Sequence, residues 1–314
     1  MSAEPKHLSL PQRARRFVGA FLQWRSIQAQ IRDLSGKTVL VTGGARGIGA
    51  EVTRVLARWN AHVLLACRDG AQGERLRAGI LSENPGTRIT VLDTADTADL
   101  ESMAELARRV KAELNGRALD GLVLNAGIAG RRYGRSKQGY ESHVATNVLG
   151  HHLLALSLLE DLARSGAARI VYVTGDIYVL AKSCTLDFQY EDKRANYAYA
   201  RSKLGVSWNA RSMQEHVDAQ GQSIQCVSVH PGVVGSELMK GGEIAKRLFL
   251  ITPQKSAQSI VYSLTDEAVR GGDYIHNVRG KMALPPNDPV LQEDKRRQFW
   301  KECNEACAPY LQAR

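Results

Sequence analysis

Aromatic residues are scarce in this chain, at 6% of 314 residues. A nucleic-acid reader needs stacking rings and a basic stripe. Here the rings are few and the charges dispersed, so nucleic acid is set aside although the net charge is +10. That surplus points instead to a phosphorylated cofactor or an anionic lipid surface. No apolar run approaches the ~20 residues that cross a bilayer, and no small-residue cleavage site follows the N-terminal segment. Cysteines are few and odd in number: Cys67, Cys184, Cys226, Cys303 and Cys307, scattered without zinc-type spacing. A disulfide framework is excluded, no metal is expected, and a reducing, cytoplasmic setting follows. With 44% hydrophobic and 24% charged residues, the chain has the make-up of a soluble globular protein with a sizeable core.

Residues 1–35 stand apart as a basic extension. Six Lys or Arg face only Glu4 and Asp33, and Phe17, Phe21, Trp24 and Ile31 fall near one helical face, with Arg13, Arg16 and Arg25 elsewhere on it. Two readings stay open: a helix over residues 8–32 lying on a membrane surface, or one packed on its own domain or a partner subunit. Packing is the commoner fate of an amphipathic helix.

From Lys37 the pattern becomes regular. Lys37 to Val41 reads as a buried parallel strand, followed at once by TGGARGIG (Thr42 to Gly49) and a helical stretch. A strand, a glycine-rich turn and a helix make a phosphate-binding corner, because the glycines admit close approach and the helix N-terminus presents free N–H groups. A Walker loop is excluded, since Ala50 and Glu51 occupy the places of its Lys and Ser/Thr. Further strands are expected over 62–66, 88–92, 121–124, 169–174 and 224–229, with a helix at 99–114. Their alternation with helices predicts a doubly wound parallel sheet. The second strand ends at Cys67, where an NAD-selecting fold places a carboxylate; Arg68 follows, and Arg46 can reach the same place. Two guanidiniums suit a 2′-phosphate, so NADP(H) is the expected cofactor, with NAD(H) left open by Asp69. Asp93 sits where an adenine contact is expected.

Tyr199 and Lys203 are four residues apart, which on a helix puts phenol and ammonium on one face. A nearby positive charge is expected to lower the phenol's pKa and fit it for proton transfer.

The motifs TGGARGIG, ACRD (66–69), NAG (125–127), Asn147 in TNVLGHHLL, YARSK (199–203) and VHPGVV (229–234) occur in the order of the short-chain dehydrogenase/reductase family. The chain resembles that family over roughly residues 35–280, and within it the retinol dehydrogenase-like branch, to which FWKEC (299–303) adds weakly. The resemblance implies a single Rossmann-type α/β domain with a seven-stranded parallel sheet and helices on both faces. Tyr199 would be the proton donor or acceptor, Lys203 would hold the nicotinamide ribose, and Asn147 would position a water. Cofactor contacts would come from Gly43, Ala45, Arg46, Gly47, Ile48, Gly49, Arg68, Asp93, Thr94, Asn125, Ala126, Gly127, Pro231, Gly232, Val234 and Ser236, together with Tyr199 and Lys203. It implies a catalytic domain over 36–280, a substrate lid at about 235–252 and a C-terminal tail and helix over 281–314. Pairing through the two long helices of the catalytic half would make a homo-oligomer.

One departure stands out. The family closes its fifth strand with a serine that bonds the substrate oxygen, and that place falls on Gly175, after Thr174. Either Thr174 turns its hydroxyl inward, or Asp176 or Tyr178 serves, or the bond is missing. Leu238, Met239, Leu248, Phe249 and Leu250 would give the lid an apolar wall for a steroid, retinoid or fatty aldehyde. Arg131, Arg132, Arg135 and Lys137 are either a solvated run or a grip on an anionic substrate group. His151 and His152 read as packing or surface residues. The expected activity is interconversion of a hydrophobic alcohol with its ketone or aldehyde; a dinucleotide-binding sensor or scaffold with little catalysis is the alternative.

Overall fold

The computed structural model describes residues 8–9, 11–13, 26–233 and 251–311. Eight strands form one sheet in the order β3-β2-β1-β4-β5-β6-β7-β8. They are β1 Thr38–Thr42, β2 His62–Ala66, β3 Arg88–Leu92, β4 Gly121–Leu124, β5 Ala168–Val173, β6 Ile224–His230, β7 Tyr274–His276 and β8 Gly280–Lys281. The first seven are parallel. The eighth, a two-residue strand turned back antiparallel on β7, is one more than the sequence implied.

Successive side chains of a strand point to opposite faces, and the core divides accordingly. Leu40, Leu64, Leu122 and Ile170 go to one face, where they meet helices α3 (Leu100–Leu114), α4 (Gly150–Ser157), α6 (Ala195–Ala219) and α8 (Glu293–Leu311). Val41, Val63, Val123 and Val171 go to the other, against α1 (Gly47–Arg58), α2 (Gly70–Glu83) and α7 (Pro253–Thr265). Between them, α5 (Leu159–Ala163) leads into β5. Burial on both faces explains why these strands are near-continuous apolar runs.

Helix α6 has no exposed face over its middle, since every residue from Ala200 to Ala210 is buried. Part of that cover is α8. Phe299 lies against Gly205, whose added Cβ would come within 3.0 Å of the ring. Arg296, buried, makes a two-pronged pair with Glu215 at 2.7 Å on each prong. Asn304 meets the ring of His152 on α4 at 2.9 Å, and Asn209 of α6 meets the same ring at 3.1 Å. Thus α8 lies over α4 and α6. His152 is a packing residue, not a surface one.

Of the N-terminal helix expected over 8–32, Phe17, Phe21 and Trp24 fall outside the described residues. The structure corrects the expectation at Ile31. Residues 26–34 follow no helix, and Ile31 is 85% exposed. The segment is instead drawn out along the domain by backbone bonds from Ile27 N to Asn277 O and from Leu34 N to Trp59 O. Among the described residues, no helix is long and apolar enough to cross a membrane.

Candidate active site

The C-terminal ends of parallel strands open onto one edge, where doubly wound folds bind ligands. Gly43, Ala45, Arg46, Gly47, Ile48 and Gly49 follow β1, Arg68 follows β2, and Asp93 and Thr94 follow β3. Asn125, Ala126 and Gly127 follow β4, and Pro231 and Gly232 follow β6. Val234, Ser236 and nearly all of the lid lie outside the described residues.

The glycine corner is tightly specified. Gly43 and Gly47 have φ of +64° and +55°, in the left-handed region. Gly49, in the first turn of α1, lies so close to the glycine turn that a Cβ there would stand 2.2 Å from the Gly43 carbonyl oxygen. Thr42, the residue opening the motif, was missed as a site residue. Its Oγ1 accepts from Asn125 N at 2.9 Å and Ala126 N at 3.1 Å, tying the corner to β4's exit. Asn125 Nδ2 donates back to Thr42 O at 2.9 Å. The cradle left by these glycines, at a helix N-terminus, fits a pyrophosphate.

Asp69, the carboxylate that left NAD(H) open, caps α2 by accepting from Gln72 N at 3.1 Å. Arg46 and Arg68 are both exposed. Asp93 is paired with Arg109 at 2.9 Å.

Tyr199 and Lys203 stand on α6 as their spacing predicts, with Lys203 Nζ 5.7 Å from the phenol ring centre. The expected lowering of the phenol's pKa is not found. Burial pushes Tyr199 up to about 12, and burial pulls Lys203 down to about 8. Lys203 is turned to the Val173 carbonyl at 2.8 Å, and desolvation outweighs attraction at this distance.

Asn147 lies in a π-helical turn, Ala145–Leu149, and is buried. Its Oδ1 accepts from Ile128 N at 2.9 Å, while its Nδ2 donates to Ile128 O at 3.0 Å and Ser202 Oγ at 2.9 Å. The amide braces β4's exit against α6. His151 is buried and meets Thr42 Oγ1 at 3.0 Å, its pKa driven by burial down to about 3.

The structure turns Thr174 away from the site, which corrects the inward rotation considered from the sequence. Its Oγ1 donates to the Lys203 carbonyl at 2.8 Å and meets Ser207 Oγ at 2.9 Å, both inside α6. Tyr178 is also directed elsewhere, its hydroxyl donating to Asp288 at 3.1 Å. Asp176 accepts from the Tyr274 hydroxyl, and His276 Nε2 stands 3.4 Å from its other oxygen.

Asp176, His230 and His276 cluster with the residue types of a metal site. Yet His230 Nδ1 accepts from Asp176 N at 3.3 Å, and His276 Nδ1 accepts from Val278 N at 3.1 Å. Each ring in its neutral form therefore carries its proton on Nε2, whereas a ligating nitrogen must be bare. The trio gathers at the ends of β5, β6 and β7, with His230 bonded to the Asp176 backbone and His276 approaching its carboxylate.

A second buried cluster flanks the phenol and was not foreseen. The His143 ring lies 6.3 Å from that of Tyr199. Glu141 Oε1 meets His143 Nδ1 at 2.8 Å, and Arg131 N donates to His143 Nε2 at 3.3 Å. The Tyr190 hydroxyl stands 3.2 Å from Glu141. Tyr190 and Tyr199 reach Glu141 and His143 only through the fold, so spacing gave no signal. Of the basic loop, Arg132 pairs with Asp192, Arg135 with Asp187 and Lys137 with Glu101.

The comparisons with known proteins decide the family. The family model described as short chain dehydrogenase matches residues 37–244. The chain belongs to the short-chain dehydrogenase family. Its curated relatives place it in the retinol dehydrogenase-like branch. Human retinol dehydrogenase 12 is 32% identical over 266 residues, covering 81% of each chain. Mouse polyprenol dehydrogenase is 31% identical over 282 residues, 85% of this chain and 82% of its own. Among solved structures, a Shigella flexneri short chain dehydrogenase complexed with NADP superposes with a TM-score of 0.62 at 22% identity, over 79% of this chain and 99% of that one. As a short-chain dehydrogenase, this chain is an oxidoreductase built for a nicotinamide dinucleotide and the CH–OH group of a small hydrophobic molecule.

Proposed function

We propose that the protein is an NADP(H)-dependent oxidoreductase that interconverts a lipophilic alcohol with its ketone or aldehyde. The observation that carries this is the pairing on one face of α6 of Tyr199, half-buried, with Lys203, buried, whose Nζ stands 3.8 Å from where a Cβ on Gly127 would lie. Bound at the corner, the nicotinamide cofactor supplies or takes up the hydride. Gly43, Gly47 and Gly49 let the backbone and the N-terminus of α1 hold its pyrophosphate. Tyr199 holds the proton that passes to the substrate oxygen in reduction and returns in oxidation. Lys203, at the same pocket wall, orients the ribose. The phenol is protonated at neutral pH, as a donor must be, although burial raises its pKa and makes it a weaker acid than a free phenol.

The preference for NADP(H) rests on three residues. Asp69 is occupied as a helix cap, while Arg46 and Arg68 flank the place of the 2′-group with exposed guanidiniums. The substrate class draws on relatives named for retinol and polyprenol, both long lipophilic alcohols. Gly175 favours a second reading, a dinucleotide-binding sensor with little turnover, since a donor expected at the substrate oxygen is absent there.

Initial rates of NADPH and NADH oxidation against hydrophobic aldehydes and ketones separate the two. Turnover preferring NADPH, and lost by about a thousandfold in Tyr199→Phe with cofactor affinity unchanged, is the expected result. NADPH binding with no turnover on any carbonyl would favour the sensor.

A further inference from the structure

A carbonyl oxygen has two lone pairs, and the charge that develops on it during reduction is stabilised by a donor at each. The Tyr199 hydroxyl serves one. The other side of the phenol belongs to Gly175. A Cβ built there would lie 3.8 Å from Tyr199 Oη and 3.9 Å from both Ile177 Cγ2 and Lys203 Cγ, with nothing nearer among the described residues. The backbone does not call for glycine, because φ is −167° and ψ is 138°, an extended conformation open to any residue.

The neighbouring polar groups are directed elsewhere. Thr174 Oγ1 is bonded within α6. The Asp176 carboxylate receives the Tyr274 hydroxyl, and the Tyr178 hydroxyl goes to Asp288. His143 is held at both ring nitrogens, by Glu141 and by Arg131 N.

We propose that Gly175 makes this a single-donor site in which Tyr199 alone, among the described residues, bonds the substrate oxygen, and that the room left beside the phenol makes the site one for ketones more than aldehydes. A ketone carries a second carbon substituent that needs space beside its oxygen, and a side chain at 175 would compete for that space. The inference rests on the proposed Tyr199 chemistry.

The test compares wild type, Gly175→Ala and Gly175→Ser, each with and without Tyr199→Phe, on a straight-chain aldehyde and a hindered ketone of similar length. Alanine fills the space without a donor; serine fills it and adds one. On the aldehyde, Gly175→Ser is expected to raise kcat at least ~10-fold over Gly175→Ala, since a single positioned donor is worth ~100-fold in comparable sites. A wild type below detection with a Gly175→Ser that turns over counts as the same gain. On the ketone, Gly175→Ala is expected to lower kcat/KM relative to the aldehyde by ~5-fold or more. Serine equal to alanine on the aldehyde would overturn the inference, as would an unchanged ketone-to-aldehyde ratio in Gly175→Ala. If Tyr199→Phe retains full activity, or no variant turns over either carbonyl, the proposed function itself falls. Thermal melts and NADPH titrations of each variant keep misfolding from passing as loss of activity.

Discussion

At the glycine corner an added carbon has no room, since a Cβ on Gly49 would sit 2.2 Å from a backbone oxygen; at the tip of β5, the nearest described neighbour of a Cβ on Gly175 would be 3.8 Å away. Both glycines stand at the same edge of one sheet. The first is demanded by the backbone's own packing, which holds whatever the substrate. The second answers to no such demand, so its effect is confined to what is bound. Cofactor binding is thus fixed by geometry, while the substrate oxygen's surroundings are free to vary by one side chain.

The comparison can be broken most forcefully at Gly49. Gly49→Ala is expected to weaken NADPH binding by more than ~100-fold and to destabilise the domain by about 1–3 kcal/mol, read by fluorescence titration and denaturant unfolding. Near-normal affinity would mean that the corner can shift. Next in size is cofactor choice. Arg46→Ala combined with Arg68→Ala should cut the preference for NADPH over NADH by roughly 10–100-fold, each charged hydrogen bond being worth about 1.5–3 kcal/mol before coupling. Equal weakening of both cofactors would remove the 2′-phosphate assignment.

An effect of similar size should appear with pH. Tyr199 is raised to about 12 by burial, so the phenolate needed for alcohol oxidation grows about tenfold per pH unit below that value. Oxidation at subsaturating alcohol should climb with that slope from pH 6 to 8, before Lys203 loses its charge above about 8. Reduction, which needs the phenol, should stay flat over the same window. A flat oxidation profile would place proton transfer elsewhere. The smallest change is expected from Thr174→Val, which removes a buried bond to α6. It should cost about 1–2 kcal/mol in unfolding free energy and leave kcat unaltered. A fall in kcat with stability intact would return Thr174 to the substrate.

Much of the fold was legible because parallel strands buried on both faces leave apolar runs. β2, β3 and β4 fall on the expected residues, and β1, β5 and β6 within one residue of them. Strand β7, only Tyr274–His276, carries no run long enough to be seen, and β8 has two residues. In the site, the spacing of Tyr199 and Lys203 and the glycine motif were readable, since local geometry dictates them. What escaped depends on orientation and solvation. The direction of the Thr174 hydroxyl is decided by Lys203 O and Ser207, and the phenol's pKa by the depth of its burial; neither leaves a trace in residue order. The Glu141–His143–Tyr190 cluster joins positions almost fifty residues apart.

Helix α8 shows what a late segment can contribute. Phe299, Cys303 and Cys307 are sealed in the main core, and Arg296 is fixed to Glu215 through two bonds. Nineteen residues at the chain's end therefore hold shut a face that the ribosome has already made and left bare. Until they emerge, Gly205 and Trp208 on α6 lack the ring that packs against them. A premature stop at position 293 would be met by quality control as an unfinished fold, although every motif of the active-site edge had been translated.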